Sequence, residues 1–258
     1  MRIVSWNVNG LRAVCKKGFV PWLDSSGIDI LGIQEAKLSS LEQVPEEIQK
    51  QTQWTTYFSI AERGGYSGTG LFCRKKPHSY TDSLGVPAFD AEARFQQAEW
   101  DDFFLINAYF PKGSGAEHDN SRVSFKLAFY QQVLERIQQL WKTGKELIVI
   151  GDFNTAHREA DLKNWRANQK ASGFLPEERA VLDKWQEAGM LDTFRVHHPD
   201  QPDVYTWWSP WAGARKRNVG WRVDYVFASR ALLPRITSAF VWAEVMGSDH
   251  CPVGIDVR

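Results

Sequence analysis

Short apolar runs rich in β-branched residues recur along the chain at Ile3 to Val8, Ile28 to Ile33, Trp54 to Ile60, Thr69 to Cys73, Phe103 to Phe110, Leu147 to Ile150, Val223 to Ala228 and Val253 to Val257. Their length and composition predict strands. One segment instead carries the helical period. Val123, Leu127, Tyr130, Leu134, Ile137 and Trp141 follow one another at alternating steps of four and three, with Asn120 or Ser121 as the cap and Gly144 as the stop. A second helix is predicted from Pro176, with Glu177 and Glu178 in its first turn and Gly189 at its end. The first helix lies between strands and the second is followed by strands with little helix among them, which predicts mixed sheets covered by outer helices. No repeat, low-complexity tract or linker divides the chain, so residues 1–258 are expected to form one α/β domain.

The strand ends carry the first chemistry. Leu147 to Ile150 runs into Gly151-Asp152-Phe153-Asn154, and strand alternation puts Asp152 and Asn154 on one side. A plain turn would use the same residue types, but the pattern repeats. The first strand leads to Asn7 and Asn9, the second to Gln34 and Glu35. Asp224 opens a later strand, and Asp249-His250 precedes the last one. Open α/β sheets bind ligands beyond the carboxyl ends of their strands.

Carboxylates gathered at one mouth repel unless a cation or a shared proton relieves them. Oxygen ligands with one nearby histidine favour Mg²⁺ or Mn²⁺ over zinc, and a metal with an activated water is common equipment for cleaving phosphate esters. His250 is placed to act on the phosphate, with Asp224 or Asp249 fixing its tautomer.

The formal net charge is zero, from 31 Lys and Arg against 31 Asp and Glu, which excludes a tail that would bind any polyanion. Charge is nonetheless segregated. From Val204 to Val223 there is no acid, while Arg215, Lys216, Arg217 and Arg222 interleave with Trp207, Trp208, Trp211 and Trp221. Leu162 to Pro176 is also acid-free and carries Lys163, Arg166 and Lys170. Basic residues hold phosphates and aromatics fill gaps in a base stack. The cysteines, Cys15, Cys73 and Cys251, are odd in number and widely spaced, which suggests neither a disulfide framework nor a zinc site. No apolar run reaches the length of a membrane span, so a soluble, cytoplasmic protein is expected. The Gly64 to Gly70 stretch precedes a strand and lacks a Gly-Lys-Ser/Thr ending, unlike a nucleotide-binding loop. His157 and Asp161 read as an exposed helix face, and His197-His198 as loop.

The strings Ser5-Trp6-Asn7-Val8-Asn9-Gly10-Leu11-Arg12-Ala13, Gln34-Glu35, Gly65-Tyr66-Ser67-Gly68, Gly151-Asp152-Phe153-Asn154, Gly173 to Arg179, Asn218 to Tyr225 and Ser248-Asp249-His250 occur in this order over nearly the whole chain. Together they resemble the exonuclease III family of apurinic/apyrimidinic DNA endonucleases, within the endonuclease/exonuclease/phosphatase superfamily. The resemblance implies a deoxyribonuclease I-like, four-layer α/β sandwich of two mixed sheets flanked by helices. It also implies roles. Glu35 would be the main ligand of Mg²⁺ or Mn²⁺, with Asn7, Asn9 and Asp249 beside it. Asp152 would orient or deprotonate the attacking water with Asn154. His250, held by Asp224, would stabilise the phosphate, and Tyr109 would face it. Trp207, Trp221 and Val223 would line a pocket for a flipped abasic sugar, while Arg12, Lys16, Tyr66, Asn168, Arg215 and Arg217 would approach the DNA.

The expected activity is metal-dependent hydrolysis on the 5′ side of abasic sites in double-stranded DNA, with 3′–5′ exonuclease action and trimming of blocked 3′ ends. The expected protein is a monomer, associated with the nucleoid in a prokaryote or nuclear in a eukaryote. The alternative within the same fold is a phosphatase or phosphodiesterase of small or lipid phosphates. Departures from the family pattern are Lys112 and Ala171, where asparagine is common, and Asn9, where animal relatives have Asp.

Overall fold

The computed structural model describes residues 1–115, 117 and 119–258. Its strands are β1 (Arg2–Asn7), β2 (Ile30–Gln34), β3 (Thr55–Ser59), β4 (Thr69–Cys73), β5 (Ser79–Thr81), β6 (Phe95–Glu99), β7 (Phe103–Tyr109), β8 (Glu146–Asp152), β9 (Met190–Asp192), β10 (Trp207–Trp208), β11 (Gly220–Trp221), β12 (Asp224–Ser229), β13 (Ile236–Val241) and β14 (Val253–Val257). They form two six-stranded sheets, ordered β13-β14-β1-β2-β4-β3 and β5-β6-β7-β8-β12-β9, with a two-stranded ribbon of β10 and β11. Each large sheet is mixed. The β1–β2 and β7–β8 pairs are parallel and their other pairings antiparallel.

Alternation along the strands builds the layers. Ile3, Ile30, Leu105, Ile148, Ile150, Val226 and Ile255 face the space between the sheets. Their neighbours face outward. Val4, Trp6, Leu31 and Ile33 pack on the helices Leu11–Cys15 and Phe19–Ser25. Phe104, Ile106, Leu147, Val149 and Phe227 pack on the helices Val123–Trp141 and Pro176–Glu187. This is the four-layer sandwich expected.

The space between the sheets changes character along its length. Past the aliphatic layer lie Ser5, Gln34, Gln96 and Asn107, all buried. Gln34 donates to Asn107 Oδ1 at 2.7 Å and to Ser5 Oγ at 3.0 Å, and Asn107 donates to Gln96 Oε1 at 2.9 Å. Beyond them the same strand faces present Asn7, Tyr109, Asp152 and Asp224. The inward-facing polar residues thus lie at one end of the sandwich, and a buried amide layer separates them from the aliphatic core. Gly151 lets β8 enter this end, since a Cβ there would stand 1.8 Å from the Ala108 carbonyl oxygen of the paired strand.

Both predicted helices are present and end at glycines of positive φ, Gly144 and Gly189. The N-cap of the long helix is Arg122, not Asn120 or Ser121, and it makes no side-chain capping bond. His157 and Asp161 do not form an exposed helix face. Both are buried, His157 bonded to Asp183 and Asp161 to Arg195 and Arg222. His197 ends a short helix, Thr193–His197. The cysteines are free and buried. Among the described residues no helix is long and apolar enough to cross a membrane.

Candidate functional site

Glu35 directly follows β2, and Asn9 and Asn154 lie two residues past the ends of β1 and β8, with positive φ values of 53°, 48° and 49°. This left-handed conformation is tolerated by asparagine and unusual for glutamate. It is fixed by the surrounding chain: the Glu35 carbonyl accepts Gly10 N–H at 2.7 Å, and Ala36 N–H bonds Gly68 O at 2.9 Å. The turns bring three strand ends to one place.

The Asn7 amide links the two sheets. Its Nδ2 donates to Glu35 Oε1 at 3.0 Å and to Asp152 Oδ2 at 2.8 Å. Tyr109 O–H donates to Glu35 Oε1 at 2.8 Å, and the buried phenol has its pKa pushed well up by desolvation and by Glu35, so it remains a donor. Lys37 Nζ sits 2.7 Å from Glu35 Oε2 and also donates to Asn9 Oδ1. Burial pushes the Glu35 carboxyl up, but the ammonium groups of Lys112 and Lys37 and the Asn7 bond outweigh it and hold the pKa at about 2. Asn9 Nδ2 donates to Asp249 Oδ1 at 2.9 Å, and Trp207 Nε1 to Asp249 Oδ2 at 3.0 Å. Burial pushes Asp249 up, and His250 with these donors more than offsets it.

On the other side of Asn7, Asp152 is fully buried. Desolvation and the Asp224 carboxylate raise its pKa against the opposing pull of His250, the Asn154 N–H and Asn7. Asn154 N–H caps Asp152 Oδ1 at 2.8 Å, and Asn154 Nδ2 donates to Phe110 O at 2.8 Å. His250 Nδ1 is 2.8 Å from Asp224 Oδ2, and its Nε2 is 3.9 Å from Asp152 Oδ2. Burial lowers the imidazole pKa, yet Asp224 and Asp152 together raise it above the ordinary value.

Among the described residues, two groupings at this mouth could attract a cation. The Asp152, Asp224 and His250 atoms lie within 4.8 Å of one another, but the imidazole Nδ1 is already committed to Asp224. The grouping of Glu35 with Asn7, Asn9 and Asp249 supplies hard oxygens from its two carboxylates and the Asn9 carbonyl, while Asn7 donates Nδ2 to Glu35 and its Oδ1 accepts Asn9 N–H. The ionised Glu35 carboxylate and the Asn9 carbonyl already meet the Lys37 ammonium, so this second grouping fits a divalent cation better.

A cavity of about 180 Å³ opens beside Asp152, lined by Trp207, Trp221, Val223, His250, Asn154, Gly173 and Lys112 among others. The Trp207 and Trp221 rings stand edge to face at 76° with centroids 6.4 Å apart. Arg12 and Lys16 are exposed along an open groove that also touches Asn9 and Lys37. Tyr66 is half-buried, its hydroxyl receiving Arg94 Nη2 at 2.7 Å. Asn168 ends a short helix and donates to Asn164 O. Arg217 is exposed. Arg215 instead donates to the carbonyls of Ser248, Ala243 and Val245 at 3.0, 2.8 and 2.7 Å, tying the tryptophan-rich loop to the Asp249–His250 loop. Arg222 is buried on Asp161 and Asp192 and belongs to the scaffold.

Sequence reasoning passed over Lys37 and Arg94. Lys37 could have been found from its spacing two residues beyond Glu35. Arg94 is buried, with its guanidinium carbon 4.4 Å from the Tyr109 ring centroid, and nothing local in the chain announces it.

The profile of the endonuclease/exonuclease/phosphatase family matches residues 4–250. The chain is 39% identical over 262 residues to an exodeoxyribonuclease of Bacillus subtilis, covering 100% of both chains. It is also 39% identical to the DNA repair nuclease APEX1 of Danio rerio, over 98% of this chain and 81% of that one. In structure it resembles the catalytic domain of Xenopus laevis APE2 at 28% identity, with a TM-score of 0.88 over 100% of this chain and 92% of that chain. These matches and the site geometry agree that the chain belongs to the endonuclease/exonuclease/phosphatase family, in its exonuclease III-like branch.

Proposed function

We propose that this protein is a DNA repair phosphodiesterase that hydrolyses the backbone on the 5′ side of abasic sites, leaving a 3′-hydroxyl, and that also trims recessed or blocked 3′ ends. The observation that carries this reading is the Asn7 bridge. It joins a cation-attracting carboxylate, Glu35, to a proton-accepting one, Asp152, and Asp152 in turn meets Asn154 and His250, which line the cavity with Trp207, Trp221 and Val223. The names of the relatives, exodeoxyribonuclease and DNA repair nuclease, support the substrate class.

Glu35, Asn7, Asn9 and Asp249 would hold Mg²⁺ or Mn²⁺, which when bound neutralises phosphate charge as a Lewis acid. Asp152 accepts a proton from the attacking water. Its raised pKa makes it a stronger base than an exposed aspartate, and Asn154 N–H holds the carboxylate in place. His250, kept protonated by Asp224 and Asp152, donates from Nε2 to a phosphate oxygen, and Tyr109 O–H is available on the Glu35 side. Water is the nucleophile, and no side chain becomes covalently attached. Trp207, Trp221 and Val223 take the unstacked abasic sugar, while Arg12, Lys16, Tyr66, Asn168, Arg215 and Arg217 line the DNA path. The protein acts as a monomer.

The test compares turnover on an abasic duplex, a recessed end and a 3′-phosphate under one metal condition, with a soluble phosphomonoester and a lipid phosphate as rivals. With about five phosphates contacted, log K for the duplex falls against log salt at a slope of roughly −4.5, several hundredfold between 50 and 200 mM. A flat salt response with preference for a small or lipid phosphate would refute the DNA reading.

A further inference from the structure

Asn154 owes its place to a buried ion pair on the far side of the cavity wall. Its carbonyl, pointing away from the site, accepts Lys126 Nζ at 2.7 Å. Lys126 projects from the first turn of the helix Val123–Trp141. The same ammonium lies 2.7 Å from Glu178 Oε1, and both side chains have 0% exposure. Glu178 stands in the first turn of the helix Pro176–Glu187, where its carboxylate accepts Ser172 Oγ at 3.0 Å and the N–H groups of Gly173 and Leu175 at 2.5 and 3.1 Å. It also meets a third segment. A Cβ on Gly113 would stand 3.0 Å from Glu178 Oε1, so the loop carrying Lys112 and Ser114 rests directly on the carboxylate.

Asn154, Ser172–Gly173 and Lys112–Ser114 are separate in sequence, and all line the cavity beside Asp152. A buried ion pair stabilises a fold weakly at best compared with apolar side chains of similar volume. At this position it does what an apolar pair cannot, fixing one backbone carbonyl and two backbone N–H groups in the wall. We propose that Lys126 and Glu178 are positioning residues, which set the Asn154 turn and with it the orientation of Asp152 for water activation. The proposal rests on the DNA-cleaving function above and assigns neither residue a contact with substrate.

The test is the double variant Lys126→Met/Glu178→Gln, which removes both charges and keeps an acceptor for Gly173 and Leu175. A misplacement of about 1 Å costs on the order of 100-fold in rate, so kcat on an abasic duplex should fall ~10–100-fold while KM moves less than about threefold. Asn154→Ala, introduced into the double variant, should then cost much less than in the wild type, because the two changes damage one element. Hydrogen exchange of peptides spanning residues 151–157 and 172–175 should quicken in the double variant without any substrate present. Lys126→Arg should retain most of the wild-type kcat. If the double variant does not fold, Glu178→Gln alone, close to the native shape, is read in the same way.

Unchanged exchange, unchanged kcat, or losses from Asn154→Ala and from the pair that simply multiply would each overturn the proposal. Should the wild type leave abasic DNA uncut, the functional reading fails by itself, and the exchange measurement still decides the positioning claim.

Discussion

The two carboxylates joined by Asn7 are a matched pair with opposite behaviour. Glu35 ends the path of one sheet and Asp152 that of the other. Both are buried, at 8% and 0% exposure, and both accept the same amide. Glu35 nevertheless holds its proton only below about pH 2, whereas Asp152 is pushed upward. The neighbours make the difference. Glu35 faces Lys37 and Lys112, while Asp152 faces Asp224. Burial is the largest influence on both and raises each; two ammonium groups overcome it at Glu35, whereas at Asp152 the Asp224 carboxylate adds to it and His250 opposes it only in part. Such a split separates a permanently charged ligand from a group that can take up a proton, the division of labour that paired carboxylates need in hydrolysis.

The largest expected effect comes from removing the base. Asp152→Asn keeps the size of the side chain and loses proton acceptance, so single-turnover cleavage of an abasic duplex should fall on the order of 10²–10⁴-fold. The thermal midpoint should hold or rise, because a buried charge beside Asp224 disappears. Turnover within tenfold of wild type would break the assignment.

A third buried carboxylate sharpens the contrast by lacking any role at the mouth. Asp161 is fully buried between Arg222 and Arg195, which overcome its desolvation and hold its pKa at about 2. Asp161→Asn leaves arginine charge uncompensated inside the fold and should cost about 3–5 kcal/mol of stability at neutral pH. A carboxyl with a depressed folded pKa stabilises above its unfolded value, near 3.9, and that contribution is lost as pH falls towards about 2. The stability gap between wild type and variant in urea unfolding should therefore narrow by roughly 2 kcal/mol between about pH 5 and pH 2. A gap that does not narrow would show that packing, not charge, held the site.

The smallest effect is expected at Lys112. This exposed lysine borders the cavity and makes no side-chain hydrogen bond or ion pair among the described residues, while its charge helps to hold Glu35 ionised. Lys112→Gln should reduce the salt slope of DNA binding by about 0.9, the share of one phosphate contact, and lower turnover by less than tenfold. An unchanged slope would confine Lys112 to its influence on Glu35.

Much of this arrangement was legible in the chain because it is written in strand periodicity. Asn7, Glu35 and Asp152 each interrupt an apolar run at its carboxyl end, and a pattern repeated at several strands points to one shared mouth. The central strands and both long helices were found for the same reason. Strands β6 and β13 were not. Phe95–Glu99 reads as polar because Gln96 and Gln97 lie in it, and Gln96 is buried only because Asn107 from the next strand meets its carboxamide. His157 and Asp161 suggested an exposed surface for a related reason: their partners Asp183, Arg195 and Arg222 lie far along the chain. The chain likewise carries no sign that three loop carbonyls accept from the Arg215 guanidinium. Periodicity reveals what a strand offers; the identity of the group that meets it comes only from the tertiary fold.

The most direct test of the divided roles is the single-turnover rate of abasic-duplex cleavage measured against Mg²⁺ concentration for wild type, Glu35→Gln and Asp152→Asn. Glu35→Gln should shift the midpoint to roughly 10–100-fold more metal and recover part of the plateau. Asp152→Asn should leave the midpoint within about threefold and collapse the plateau by ~100-fold or more. If Asp152→Asn moves the midpoint while Glu35→Gln lowers only the plateau, the two carboxylates have been assigned the wrong way round.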